Sequence, residues 1–386
     1  MQKRTRWNIA VLPGDGIGPE VMHETMQALD ALARQHELDL SHQSFDWPST
    51  AWHEQHGELW PKDWREQLGK FDTILLGALG DPGPTSNPDR YVLTDGLSLS
   101  PLLHIRKGFD QWACERPAQR LEGAPQYLAD PRAEDIDMLV VRENSEGEYV
   151  GEGGRVAQGR PDEIASQTGI FTRRGTERII RHGFERARQR AAERAQGLRR
   201  QREFKSPDGS TAHAQVCLIT KRNALAHWGE LYTEVFAEIA QDYPDIATHH
   251  ELVDAACMKF VMCPWQFDVV VASNLQGDIL TDLAAVLSGG MGVAPSSNIN
   301  PSDRSKPPMF EPTHGSAPDI AGQDLAGPQA MLLTAAMMLD WMGEEDDKAA
   351  AAGRALRAAV ESDMAEHGVK GRKCSEVGAS IRQRLS

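Results

Sequence analysis

At 386 residues, 40% of them hydrophobic and 25% charged, the chain is long enough for two domains and a sizeable core. A formal net charge of -15 argues against nucleic acid or an anionic membrane surface as the main partner, so an anionic substrate must be caught by a local cluster of arginines. No apolar run approaches a membrane span, and the five scattered cysteines (Cys114, Cys217, Cys257, Cys263, Cys374) form no C-x-x-C pair, so they read as reduced thiols rather than a disulfide framework or zinc site.

The chain enters its first strand, residues 8–12, with no signal-peptide core before it, and a soluble, cytoplasmic protein is expected. An amphipathic helix carrying Val21, Met22, Met26, Leu29 and Leu32 follows, with Pro19 suited to its first turn. Between them lie Gly14 and Gly16. The third glycine of a dinucleotide fingerprint would fall at position 19, which is proline, so an ordinary Rossmann fingerprint is rejected. A tight loop near a ligand and a purely structural turn both stay open. A buried strand at 73–76 runs into a Gly- and Pro-rich loop through Pro88, long enough to be functional. Arg106 and Arg116 follow, and a strand at 138–141 delivers Arg142 at its carboxyl end. Arginine suits bidentate capture of carboxylates, and a diacid would need several; surface ion pairing is the plainer role for each taken singly.

Residues 147–154 form a glycine-rich excursion in which Tyr149 is either a proton donor or an aromatic anchor. The arginine-dense stretch 172–202 carries Ile179, Ile180, Phe184 and Ala187 on one face, and reads as a solvated helix with a core-facing stripe rather than a nucleic-acid surface. A turn at 206–210 follows. The strand 215–219 then places Thr220, Lys221, Arg222 and Asn223 at its carboxyl end, where a partly desolvated lysine can act as a base. Asp254 precedes an apolar helix, where capping is the plain structural role.

A valine-rich run at 267–273 reads as a strand buried on both faces, and residues 274–282 read as a helix start. Asp278 and Asp282, four apart, then share one helix face. Two carboxylates held close repel, and a divalent cation relieves them; the alternative is a solvated acidic face. The carboxyl end of a strand is where open α/β sheets bind ligands. Residues 289–301 read as a glycine and asparagine loop, and 310–322 as a loop of small residues that lets N–H groups approach phosphate. The alanine, leucine and methionine content of 328–342 suggests a buried helix.

Together, Leu12-Pro13-Gly14-Asp15-Gly16-Ile17-Gly18-Pro19-Glu20, Val141-Arg142-Glu143-Asn144, Thr220-Lys221-Arg222-Asn223, and residues 274–282 and 311–322 resemble the β-decarboxylating dehydrogenases of the isocitrate and isopropylmalate family. Phe45-Asp46-Trp47, Gly80-Asp81-Pro82 and Ser297-Asn298-Ile299-Asn300-Pro301 look most like its tartrate and D-malate branch. The resemblance implies an isopropylmalate dehydrogenase-like two-domain α/β/α fold with an open mixed sheet. Residues 1–111 and 289–386 would form the cofactor-side domain, and 112–288 a central domain carrying the metal and catalytic residues, with a dimerisation arm after Tyr149.

By the same resemblance, Asp278 and Asp282 bind Mg²⁺ or Mn²⁺ together with Asp254 from the partner subunit of a homodimer. Arg106, Arg116 and Arg142 hold the substrate carboxylates, Lys221 takes the hydroxyl proton, and Tyr149 protonates the product enol. Asn223, Glu311, His314, Gly315, Ser316, Ala317 and Asp319 bind the cofactor, and a carboxylate at Asp319 favours NAD over NADP. The implied reaction is oxidation and β-decarboxylation of tartrate or D-malate. 3-Isopropylmalate is the alternative, with leucines at 97, 99, 102 and 103 available for an apolar subsite, although a hydrophobic core would use them equally well. A catalytically silent regulatory subunit is the alternative from another class, and the presence of Tyr149, Lys221, Asp254, Asp278 and Asp282 speaks against it. Gln276, Gly327, Cys114, Glu115 and the segment 94–100 depart from the family pattern.

Overall fold

A computed structural model describes residues 4–80, 93, 95–206 and 209–385. The first elements are β1 (Arg6–Gly14), α1 (Gly18–Gln35), β2 (Asp39–Ser44), α2 (Thr50–His56), α3 (Trp64–Leu68) and β3 (Thr73–Ala78). Next come α4 (Asp95–Gly108), β4 (Ala113–Gln119), β5 (Asp137–Glu143), β6 (Gly147–Val156), β7 (Ile164–Ile170) and α5 (Arg173–Ala195). The chain continues through β8 (Phe204–Lys205), β9 (Thr211–Ala212), β10 (Gln215–Thr220), α6 (Ala226–Ala240), β11 (Ala247–Leu252), α7 (Val253–Met262), β12 (Val269–Ala272) and α8 (Asn274–Ser288). It closes with β13 (Pro295–Ile299), β14 (Met309–Pro312), α9 (Gln329–Gly343), α10 (Asp347–His367) and α11 (Cys374–Arg384). Most of the loop expected through Pro88, from Asp81 on, and Thr94 lie outside the described residues.

The chain divides into two compact units. The first comprises Met1–Gln111, Arg120–Ala129 and Ser288–Ser386; the second comprises Trp112–Gln119 and Asp130–Leu287. In the first, strands run in the order β13, β14, β3, β1, β2, all neighbouring pairs parallel except β13 with β14. Helix α9 is apolar nearly all round, with Met331, Leu332, Ala335, Met338 and Leu339 buried, as a core helix must be. Phe45, Trp47 and Phe109 pack with Leu12, Ile74 and Leu76 of β1 and β3.

Residues 295–299 and 309–312 correct the loop reading, because they are buried antiparallel strands. Their polar side chains are satisfied inside: Asn298 Nδ2 donates to Glu311 Oε1 at 2.9 Å.

In the second unit the order is β11, β10, β12, β5, β4, parallel except for β4 on β5. Valine-rich β12 is wholly buried, as parallel strands covered on both faces are. The glycine-rich excursion at 147–154 proves to be a strand, β6, paired antiparallel with β7.

Helix α5 buries Ile179, Ile180, Phe184 and Ala187 as expected, but its arginines are not all solvated. Arg190 and Arg194 are buried, and both pair with Asp268, which is fully buried at the entry to β12. A carboxylate taken that far from water needs cations and donors around it. Arg194 supplies two bonds, at 2.9 and 2.7 Å, Arg190 Nε a third at 2.6 Å, and the Gln215 N–H a fourth at 3.1 Å. Among the described residues no helix is long and apolar enough to cross a membrane.

Candidate active site

In the second unit, β12 ends at Ala272 and α8 starts two residues later, which puts Asn274, Asp278 and Asp282 on successive turns of one helix face. Gly277 lets that helix close on Arg142: a Cβ there would lie 2.7 Å from Arg142 Cγ. Arg142, at the carboxyl end of β5, is buried and held by Asn274, whose Oδ1 accepts from Nε at 3.0 Å and Nη2 at 2.7 Å. Asn274 Nδ2 in turn donates to the Glu146 carbonyl at 3.0 Å. Arg142 also pairs with Asp278.

Arg116, on β4, approaches the same place from the neighbouring strand. Its Nη1 donates to Thr281 Oγ1 at 2.7 Å and lies 3.5 Å from Asp278 Oδ1 and 3.7 Å from Asp282 Oδ1. Tyr149, at the start of β6, donates its hydroxyl proton to Asp278 Oδ2 at 2.9 Å. Two sequence-predicted arginines, the tyrosine and two aspartates are therefore together. Partial burial pushes the Asp282 carboxyl above its ordinary range, assisted by the Asp278 carboxylate and opposed by Arg116 and Arg142. Two oxygen-donor carboxylates a turn apart, with like-charge repulsion between them, suit a hard divalent cation.

Lys221 and Asp254 form a separate pair, with Nζ donating to Oδ1 at 2.7 Å. Asp254 is not a helix cap: it sits in the first turn of α7, capped at Leu252, and the Lys221 ammonium holds its carboxyl below the ordinary range. Among the described residues, no group of three or more His, Cys, Asp or Glu side chains is gathered as a metal ion requires. Asn223 lies on the exposed turn after β10.

The remaining expected site residues belong to the first unit. Arg106, near the end of α4, is buried and donates to Glu311 Oε1 at 2.7 Å, so an expected substrate residue and an expected cofactor residue form one ion pair. The 314–319 loop packs on the β1–α1 turn, where the Ile17 N–H donates to the Ser316 carbonyl at 2.8 Å. Gly16, at φ +59°, makes that approach possible, since a Cβ there would meet the Ser316 oxygen at 1.9 Å. Asp15 fixes the turn by accepting from the Thr50 and Gly80 N–H groups. Burial pushes the His314 pKa down; its Nδ1 lies 3.0 Å from the Gly315 carbonyl, and its buried Nε2 has no partner among the described residues. Gly315 is exposed, with open space where a Cβ would stand. A loop with an unpaired buried ring nitrogen and an open glycine fits a nucleotide ligand.

Sequence reasoning gave no role to Asn274, Thr281 or Asn298. The first two were legible from the 3.6-residue period that joins Asp278 and Asp282, because positions 274 and 281 fall on the same face. Asn298 had no comparable signal, since its strand reads as a loop.

The family profile for isocitrate/isopropylmalate dehydrogenase matches residues 8–201 and 204–381. The chain is 42% identical over 362 residues to D-malate dehydrogenase [decarboxylating] of Escherichia coli, covering 94% of this chain and 92% of that protein. It is 41% identical over 380 residues to 3-isopropylmalate dehydrogenase of Thermobifida fusca, covering 98% and 97%. It is 39% identical over 386 residues to tartrate dehydrogenase/decarboxylase of Pseudomonas putida, covering 98% of each. The motifs, the mixed-sheet α/β fold and a match along nearly the whole chain agree: the chain belongs to the isocitrate/isopropylmalate dehydrogenase family and is a decarboxylating dehydrogenase.

Proposed function

We propose that the chain carries out NAD- and divalent-metal-dependent oxidation and β-decarboxylation of a 2-hydroxy dicarboxylic acid, D-malate or tartrate. The observation that carries this reading is the grouping of Arg116, Arg142 and Tyr149 around Asp278 and Asp282. Arg116 and Arg142 bind substrate carboxylates through guanidinium forks held in place by Thr281 and Asn274, and Arg106 is the third substrate arginine. Asp278 and Asp282 hold Mg²⁺ or Mn²⁺ with Asp254 from a second copy of the chain. When bound, the cation would supply Lewis-acid polarisation to the oxygen on the carbon being oxidised, and NAD would supply the hydride acceptor. Lys221 Nζ takes the substrate hydroxyl proton, with the Asp254 carboxylate stabilising the ammonium that results. Tyr149 Oη delivers a proton to the carbon that has lost CO₂. Asn223, Glu311, His314, Gly315, Ser316, Ala317 and Asp319 hold the cofactor, and the Asp319 carboxylate repels a 2′-phosphate.

An apolar surface on the second unit supports the homodimer. Met258, Val261 and Met262 on one face of α7, and Ile279 and Val286 on α8, are 41–67% exposed. The free cysteines support a reducing, cytoplasmic setting. The specific competing reading is 3-isopropylmalate, supported by the 41% identical relative and by the exposed Leu97 and Leu99 on α4. Leu102 packs against the core cluster, so a polar residue in place of the exposed Leu99 separates them, since an isopropyl subsite would lose that substrate selectively. The reading as a whole is tested by chelation. Turnover of the diacid should stop with EDTA and return with Mn²⁺; undiminished turnover in EDTA would remove the metal from the reaction.

A further inference from the structure

The loop that follows His314 is held in an unusual shape. Ala317 and Asp324, neither of them glycine, lie in the left-handed region at φ +41° and +58°, where a side chain is costly unless its surroundings hold it. Asp324 has such surroundings. Its N–H donates to Glu20 Oε2 at 3.1 Å, and its carbonyl accepts from the Cys374 N–H at 2.9 Å. Its carboxylate accepts from the Ser375 N–H at 2.8 Å and the Ser375 hydroxyl at 2.7 Å.

Cys374 and Ser375 are the first residues of α11, where N–H groups have no partner inside the helix. The helix N-cap is Lys373, whose side chain has no acceptor. Asp324 therefore does for α11, from a loop 50 residues earlier, what an N-cap aspartate does locally, and its negative charge faces the positive end of the helix.

The same loop carries the expected adenosine contacts. From Asp324 it is tied back by Gln323 Nε2 to the Asp319 carbonyl at 2.7 Å, and by the Ile320 N–H to the Ala317 carbonyl at 3.1 Å. Its two ends are anchored on one short segment: Ser316 on the Ile17 N–H and Asp324 on Glu20, three residues further along. We infer that Asp324 is a positioning residue of the cofactor site: by capping α11 it fixes the loop bearing His314, Ser316 and Asp319, and so sets the affinity for the adenosine half of NAD. This rests on the NAD reading proposed above.

Glycine and asparagine at position 324 separate this role from simple tolerance of the backbone angle. Asp324→Gly accepts φ +58° but removes the cap; Asp324→Asn accepts that angle and keeps an oxygen for the Ser375 N–H. NAD⁺ and ADP-ribose dissociation constants are measured by titration calorimetry on the folded proteins, alongside melting temperatures and steady-state kinetics. Asp324→Gly should weaken both ligands about tenfold and raise KM for NAD⁺ equally, with kcat at saturation and KM for the diacid within about twofold. Asp324→Asn should restore affinity to within about threefold of the unaltered protein. Ser375→Ala, a milder change, should weaken NAD⁺ binding about two- to fivefold and serves if Asp324→Gly does not fold. Variants that melt earlier yet bind NAD⁺ unchanged would reduce Asp324 to a structural cap and overturn the inference. An unaltered protein that binds neither NAD⁺ nor ADP-ribose would instead overturn the cofactor reading, and this inference with it.

Discussion

Arg142 shows how much the position of one side chain depends on its neighbours. Its guanidinium is held by Asp278 and by the amide of Asn274, which also holds the Glu146 carbonyl and so joins the end of β5 to the start of α8. Asn274→Ala removes a bidentate, charge-assisted bond of about 1.5–3 kcal/mol. KM for the diacid should rise roughly 10- to 100-fold while KM for NAD⁺ stays level; steady-state kinetics with each substrate varied in turn checks this. Lys221→Ala should lower the rate of hydride transfer by about 10²–10⁴-fold and leave Mn²⁺ binding nearly intact; an active variant would end its role as base. Asp278→Asn should weaken Mn²⁺ binding, read by metal titration. At this scale the sequence was informative where geometry follows periodicity: the spacing of Asp278 and Asp282 puts them on one face of α8, where Arg116 reaches both. It was silent where a contact joins distant segments. Nothing in the spacing of Arg106 and Glu311 announces their buried ion pair, and Glu311→Ala, which leaves that arginine unpaired, should destabilise the fold by about 3–5 kcal/mol in denaturant unfolding.

Among the elements, α5 is the one whose appearance misleads. Its arginine density suggests a solvated helix, yet Arg190 and Arg194 reach inward to Asp268, and Arg186 and His182 reach Glu115 on β4. The cause is the burial of acids on the strands beneath it, which a helix-by-helix reading cannot see. Burial alone would raise the Glu115 carboxyl, but Arg186, His182 and Arg190 outweigh it and hold the pKa at about 2, against an ordinary 4.5. Asp137 likewise falls from 3.8 to about 2: burial acts to raise it, and Arg190 and Arg199 prevail. Both groups have folded pKa values depressed below their unfolded ones. Their stabilising contribution is therefore complete above the ordinary carboxylate range and is lost as pH falls towards 2. Stability should decline steeply from about pH 5 downward, and Glu115→Gln should make that decline shallower in acid unfolding curves. Strands β13 and β14 were missed for a related reason. The proline, serine and asparagine content of β13 is that of a loop, β14 is only four residues long and ends in proline, and partners supplied by the fold let their polar groups be buried.

For the whole molecule, the strand and helix order was largely legible because buried parallel strands leave continuous apolar runs, whereas the assembly of the site was not. Lys221 and Asp254 pair with each other, and no third acid joins Asp278 and Asp282 among the described residues. The proposed completion of the site by a second copy would account for both, and the exposed apolar faces of α7 and α8 would give that copy a surface to meet. Introducing a charge there with Met258→Glu and Ile279→Glu should yield a monomer by sedimentation with activity lost; a fully active monomer would contradict the shared site. NADH formation with Mn²⁺ on D-malate, the tartrate isomers, 3-isopropylmalate and isocitrate, with a parallel NADP series, separates the substrates and cofactors this site could use. A dominant rate on D-malate or a tartrate, with NAD preferred, is the expected result; a dominant rate on 3-isopropylmalate or isocitrate, or a preference for NADP, would contradict the proposed function.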